Sequence, residues 1–179
     1  MTKNALIVID MQQGFDDPRN GPRNNPTCEE NVQALLASWR SSGQPVVLVR
    51  HDSIKQGSPL APGQSGNDLK PGIEGAHDLF VTKTVNSAFY GTPDLDAWLK
   101  KEDIKSITVC GIMTNFCCET TARMGGNLGY DVTFVLDATA TFDKTDMDGV
   151  VIPADQIART TAANLNGEFA TVRSTAEVL

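Results

Sequence analysis

Residues 107–123 read ITVCGIMTNFCCETTAR. The run SITVCG (106–111) has the β-branched, apolar composition of a strand, and NFCCETTARMGGNLG (115–129) reads as a helix ending at a glycine. A strand that passes almost directly into a helix is half of a βαβ unit, so the stretch predicts a parallel sheet. It also carries three of the four cysteines, Cys110, Cys117 and Cys118.

Working outward, the same alternation fills the chain. ALIVID (5–10), PVVLVR (45–50), DLFVTK (78–83), DVTFVL (131–136) and FATVRS (169–174) read as further strands, several of them continuously apolar. That pattern suits strands covered on both faces. Thr27 and Glu30 form a candidate capping box for a helix running to about Arg40 and closed by Gly43. Thr92 and Pro93 are placed as cap and first turn of PDLDAWLKKED (93–103), with Leu95, Trp98 and Leu99 as its apolar stripe. PADQIARTTAANLNG (153–167) is another helix ending at a glycine. The expected architecture is a three-layer α/β/α sandwich around a mostly parallel six-stranded sheet, Rossmann-like in its winding. A single domain, 1–179, accounts for the length. Residues 51–77, rich in Gly, Pro and Ser, read as one long ordered loop of the functional kind.

The net charge of −7 argues against nucleic acid as a partner, since phosphate binding needs a basic face. No apolar run is long enough to span a membrane, and ALIVID is too short for a signal-peptide core and ends on an acid. The expected compartment is the cytoplasm, with cysteines reduced. Neither a C-x-x-C pair nor a second histidine near His51 suggests zinc, and the dinucleotide and P-loop glycine patterns are missing.

Ligands in such sheets bind beyond the carboxyl ends of the strands. The residues expected there are Asp10, His51, Asp52, Lys83, the turn 111–117 and Asp137. Asp10 is either a turn cap or a catalytic carboxylate, and Lys83 either a solvated or a functional cation. His51 reads as a strand-end residue hydrogen-bonded in place, ahead of the alternative, a substrate contact. Cys110 lies inside a strand and should be an inert core residue. Cys117 and Cys118 fall where free N–H groups and the helix dipole can lower a thiol pKa. Only one of them can face a cleft; Cys118 shares a face with Ala122 and Gly125, which favours Cys117 as the exposed thiol.

Taken together, ALIVIDMQQGF (5–15), VTKTVNSAFYGTPDLDAWL (81–99) and VCGIMTNFCCETTAR (109–123) resemble three motifs of the isochorismatase-like cysteine hydrolases, the relatives of nicotinamidase and N-carbamoylsarcosine amidohydrolase. DATATFD (137–143) and LNGEFATVRST (165–175) match the family's closing part. The resemblance implies an Asp10–Lys83–Cys117 triad, with Thr114 marking the nucleophile three residues on. It implies an oxyanion hole from the backbone N–H groups of Met113 and Cys117, and a cis peptide between Ile112 and Met113. The implied activity is hydrolysis of an amide-type C–N bond of a small molecule through a thioester, without cofactor. Phe15, Asn86 and Phe89 are implied pocket residues, and a homo-oligomer, dimer or larger, is implied, in which a neighbouring subunit helps line the pocket.

Departures accompany the likeness. Nicotinamidases of the family bind a metal through an Asp-x-His pair and a further histidine; here the pair position reads Asp52-Ser53-Ile54, so no metal is expected. The family often continues its nucleophile helix with Arg-Asp-Ala where this chain has Arg123-Met124-Gly125, and Gly125 and Gly126 should each weaken the helix by about 1 kcal/mol. Two rival functions remain. Vinyl-ether hydrolysis of the isochorismatase type is disfavoured by Cys117, because those enzymes typically lack the cysteine. A non-catalytic binding protein is disfavoured by the retained triad.

Overall fold

Successive residues of the first strand, β1 (Asn4–Ile9), serve two different cores in the computed structural model, which describes residues 3–179. Ala5, Ile7 and Ile9 pack on one side and Leu6 and Val8 on the other. This period-two division explains the unbroken apolar run: each face of the strand is covered. β2 (Val46–His51), β3 (Leu79–Lys83), β4 (Ser106–Ile112) and β5 (Asp131–Ala140) extend the sheet. A hairpin of β6 (Lys144–Thr145) and β7 (Val151–Ile152) follows, then the last sheet strand, β8 (Thr171–Arg173). The six-stranded order is β3-β2-β1-β4-β5-β8, parallel at every pairing.

Helix α1 (Cys28–Ser42) covers one face with Val32, Leu35, Leu36 and Trp39. The other face takes α2 (Leu95–Lys101), α3 (Glu119–Asn127) and α4 (Ala154–Leu165), through Leu95, Leu99, Ala122 and Leu165. A short α5 (Thr175–Val178) closes the described chain. The three-layer α/β/α sandwich expected from the sequence is the observed one. No helix among the described residues is long and apolar enough to cross a membrane. All four cysteines are free thiols.

Several local expectations are corrected. The capping box of Thr27 and Glu30 does not form: Thr27 makes no side-chain cap, and its φ of −95° and ψ of 12° place it in a turn. The Thr92–Pro93 bond is cis, Thr92 pairs its backbone with Thr82, and Asp94 caps α2 by accepting from Ala97 N–H at 3.0 Å. β5 continues to Ala140 past a register break between Val109 and Gly111 of β4. Asp137 therefore lies within the strand, not at its end. Its carboxylate accepts from the N–H and hydroxyl of Thr175, at 2.7 and 2.8 Å, and so anchors α5. Asn25 answers the carbonyls freed at this break, donating to Leu136 O and Thr139 O.

The glycine pair of α3 has a packing reason. A Cβ at Gly125 would stand 2.9 Å from Ile107 Cδ1, and one at Gly126 would stand 2.6 Å from the Phe169 carbonyl oxygen. The helix gives up propensity to lie close to the sheet and to the segment entering β8.

Candidate active site

The strand order reverses between β1 and β4, the place where sheets of this kind open a crevice. Asp10 follows β1 directly and turns the chain with φ of +49°, a conformation that aspartate tolerates better than most residues. Its N–H donates to Val49 O at 2.9 Å. Lys83 is the last residue of β3, and its Nζ donates to Asp10 Oδ2 at 2.6 Å; both side chains are wholly buried. Asp10 Oδ1 has no hydrogen-bond partner and is the one such buried side-chain atom among the described residues.

Cys117 sits on a wide turn, Thr114–Cys118, between β4 and α3. The Met113 carbonyl accepts from both Phe116 N–H (3.1 Å) and Cys118 N–H (3.2 Å), the second an i to i+5 bond of the π-helical kind that recurs at functional sites. The turn is pinned from β5: Thr114 hydroxyl donates to Thr139, which donates to Leu136 O. Directly before it, the Ile112–Met113 peptide is cis. Gly111 enters it with φ of +124°, where a Cβ would stand 2.0 Å from Ile9 O. Only glycine lets β4 approach the end of β1 this closely.

Cys117 and Cys118 are both buried, at 8% and 0% exposure, so the thiol expected to be exposed is only grazed by solvent. The Cys117 thiol can donate to Asn86 Oδ1 across 3.8 Å. One Asp10 oxygen, one His51 ring nitrogen and Cys117 Sγ lie within 4.8 Å of one another. Burial pushes the Cys117 thiol well up, the nearby Asp10 charge adds to it, and Lys83 opposes both. Burial also raises the Asp10 carboxyl, against the pull of Lys83. Burial works against the Lys83 charge, but the Asp10 carboxylate outweighs it and keeps the ammonium protonated. At rest the site therefore holds a thiol beside an ion pair.

Residues 4–177 match the family model described as the isochorismatase domain. The chain belongs to the isochorismatase family. It is 38% identical to the uncharacterized isochorismatase family protein YrdC of Bacillus subtilis, over 99% of this chain and 95% of that one. Nicotinamidase 3 of Arabidopsis thaliana is 34% identical over 78% of this chain and 74% of its own length. Among solved structures, an isochorismatase-family protein of Chromobacterium violaceum superposes with a TM-score of 0.94 at 41% identity, covering 98% of this chain and 91% of that one. A cysteine hydrolase from Pseudomonas syringae pv. phaseolicola superposes at 0.87 and 30% identity, covering 98% and 90%. The protein is thus an isochorismatase-family cysteine hydrolase.

The residues of this isochorismatase-family chain do not fit the Asp-x-His metal pair against which the sequence was compared. Asp52 is engaged by Arg50 at 2.7 and 3.0 Å and by Asn67 at 3.0 Å, and Ile54 points into solvent, 85% exposed. Asp10, His51 and Cys117 could offer ligand atoms, but the Lys83 ammonium already bonds Asp10 and His51, and a cation there would meet its charge.

Of the expected pocket residues, Asn86 is exposed and within reach of the thiol. Phe15 is half-buried and stacks on Phe142. Phe89 is buried, stacked on Tyr130 and packed near Gly125, with the turn at 88–90 set against α3. His51 is the strand-end residue expected, hydrogen-bonded in place, and its Nδ1 stands 3.3 Å from Lys83 Nζ. The signal for that contact was present: both residues end neighbouring parallel strands, and they pair in register. Open surface clefts occur elsewhere; one is lined by Asp17, Arg19, Lys55 and Pro59, and no triad residue borders it.

Proposed function

We propose that this chain is a metal-independent cysteine hydrolase that cleaves an amide-type C–N bond of a small molecule through a thioester, with Asp10, Lys83 and Cys117 as its triad. The observation that carries this reading is the buried Asp10–Lys83 pair, whose second carboxylate oxygen is unpartnered, set beside the Cys117 thiol.

As Sγ attacks the substrate carbonyl, Asp10 Oδ1 takes the thiol proton. Burial favours the neutral acid at Asp10 and disfavours the thiolate at Cys117, so the proton moves only as the C–S bond forms. The Lys83 ammonium keeps the net charge of the site balanced throughout. The oxyanion is assigned to the N–H groups of Met113 and Cys117. Asp10 then returns its proton to the departing nitrogen, and ammonia or an amine leaves. Water, deprotonated by Asp10, attacks the thioester; the acid departs and the thiol is restored. The name of the Arabidopsis relative, a nicotinamidase, supports an amide substrate.

Ammonia release from a panel of small amides, ureas and carbamoyl compounds tests the reading. Cys117→Ala should abolish turnover, while Cys118→Ala, which alters only buried packing, should keep most of it. Turnover by both variants refutes the covalent mechanism. Activity lost to a chelator and restored by zinc refutes metal independence.

A further inference from the structure

We infer that His51 is a positioning residue of this reaction: its imidazole Nδ1 holds the Lys83 ammonium off Asp10 Oδ1, which leaves that oxygen free to take the thiol proton. The inference rests on the triad reading above and extends it to a residue outside the triad.

An ammonium has three donors and no acceptor. Lys83 spends one on Asp10 Oδ2 at 2.6 Å and meets His51 Nδ1 at 3.3 Å with another. Since Lys83 can only donate, Nδ1 is the bare nitrogen and the ring proton sits on Nε2. Burial, and then the Lys83 charge, lower the His51 pKa and keep the ring neutral. The two oxygens of Asp10 differ accordingly: Oδ2 carries Lys83 and Oδ1 carries nothing. Without an acceptor at position 51, a buried ammonium donor would be left unmatched beside an unmatched carboxylate oxygen. Both deficits disappear if the ammonium bridges the two oxygens, and the base is then masked.

The backbone that carries the imidazole is held by a dedicated frame. His51 N–H donates to Gln12 Oε1 at 2.9 Å, and its carbonyl accepts from Gln12 Nε2 at 3.0 Å and Asn67 Nδ2 at 3.1 Å. Gln12 and Asn67 are both buried, one just beyond β1 and the other from the long loop. The charged groups facing the ring are Lys83, Asp10 and Asp52. Asp52 is already taken up by Arg50 and Asn67, so the ring's partner among them is Lys83.

The test is the rate of Cys117 alkylation by iodoacetamide, read on its peptide by mass spectrometry from acidic to alkaline pH. This readout needs no substrate. His51→Leu should slow alkylation about tenfold at neutral pH and move the profile about one unit upward. His51→Asn, which restores an acceptor oxygen, should recover most of the rate. Thermal melting of both variants should stay within a few degrees of wild type, and with a substrate in hand kcat should fall while KM holds. A His51→Leu profile superposed on wild type overturns the inference, as does His51→Asn proving as slow as His51→Leu. Failure of the triad reading is a different result: Cys117→Ala would then keep turnover, whatever the alkylation profiles show.

Discussion

Lys83→Met removes the ammonium and keeps most of the side-chain bulk, leaving a carboxylate buried without its partner. Both side chains of the pair are fully buried and 2.6 Å apart. Removing one member of such a pair costs about 3–5 kcal/mol. With unfolding entropy of about 2.1 cal/mol/K per residue, a chain of 179 residues should lose roughly 8–13 °C in Tm at neutral pH. The loss should depend on pH with a definite sign. Burial raises Asp10, and Lys83 is the main opposing influence, so the variant's folded-state pKa rises further. A carboxyl raised on folding contributes stability that is fully present below its unfolded value, about 3.9, and lost as pH climbs through the folded value. The gap between wild type and variant should therefore be small in acid and widen towards neutrality. Thermal melts followed by circular dichroism across that range measure it. A gap independent of pH, or a variant as stable as wild type, refutes the assignment of Asp10 and Lys83 as a tight buried pair.

Gly126→Ala should destabilise despite a helix-propensity gain of about 1 kcal/mol, because its Cβ meets the Phe169 backbone; a net loss of about 1 kcal/mol in urea unfolding is expected, and stabilisation would contradict the packing. Asn67→Ala deletes bonds to His51 O, Asp52 and Leu60 O, so about 2 kcal/mol should be lost and limited proteolysis should cut the 52–66 segment faster than in wild type. The homo-oligomer proposal predicts a light-scattering mass of at least twice 19.2 kDa. Met147→Asp, at a hairpin position 97% exposed, should reduce that mass; a wild-type monomer would end the proposal.

Much of this was legible because the features are periodic or local. Continuous apolar runs announced doubly covered strands, and their carboxyl ends pointed to Asp10, His51 and Lys83 as neighbours. What the sequence hid depends on register and close approach. The capping box of Thr27 and Glu30 failed because Thr27 sits in a turn, with φ of −95° and ψ of 12° and no side-chain bond to the helix, a geometry no local pattern encodes. Asp137 was misplaced because the register break in β5 adds residues that hydrophobicity alone does not count. Phe89, flanked by motif residues, reads as pocket, while its stacking on Tyr130 and its approach to Gly125 are tertiary contacts that no local pattern encodes.

The placement of Cys117 itself comes mostly from residues with no charge to offer. Thr114 ties the turn to β5 through Thr139, and Asn115 accepts from the Thr141 hydroxyl. One turn further along, Thr121 accepts from Ala88 N–H and so holds the Lys83 loop to α3. Gly125 and Gly126 then let that helix settle against Ile107 and Phe169. A carboxylate can take a thiol's proton only at hydrogen-bonding range, so these neutral contacts set the reactivity as directly as the ion pair does. The same Gly126→Ala variant should consequently slow Cys117 alkylation while leaving its pH profile in place. A tilted helix would misplace the sulfur without changing the charges around it.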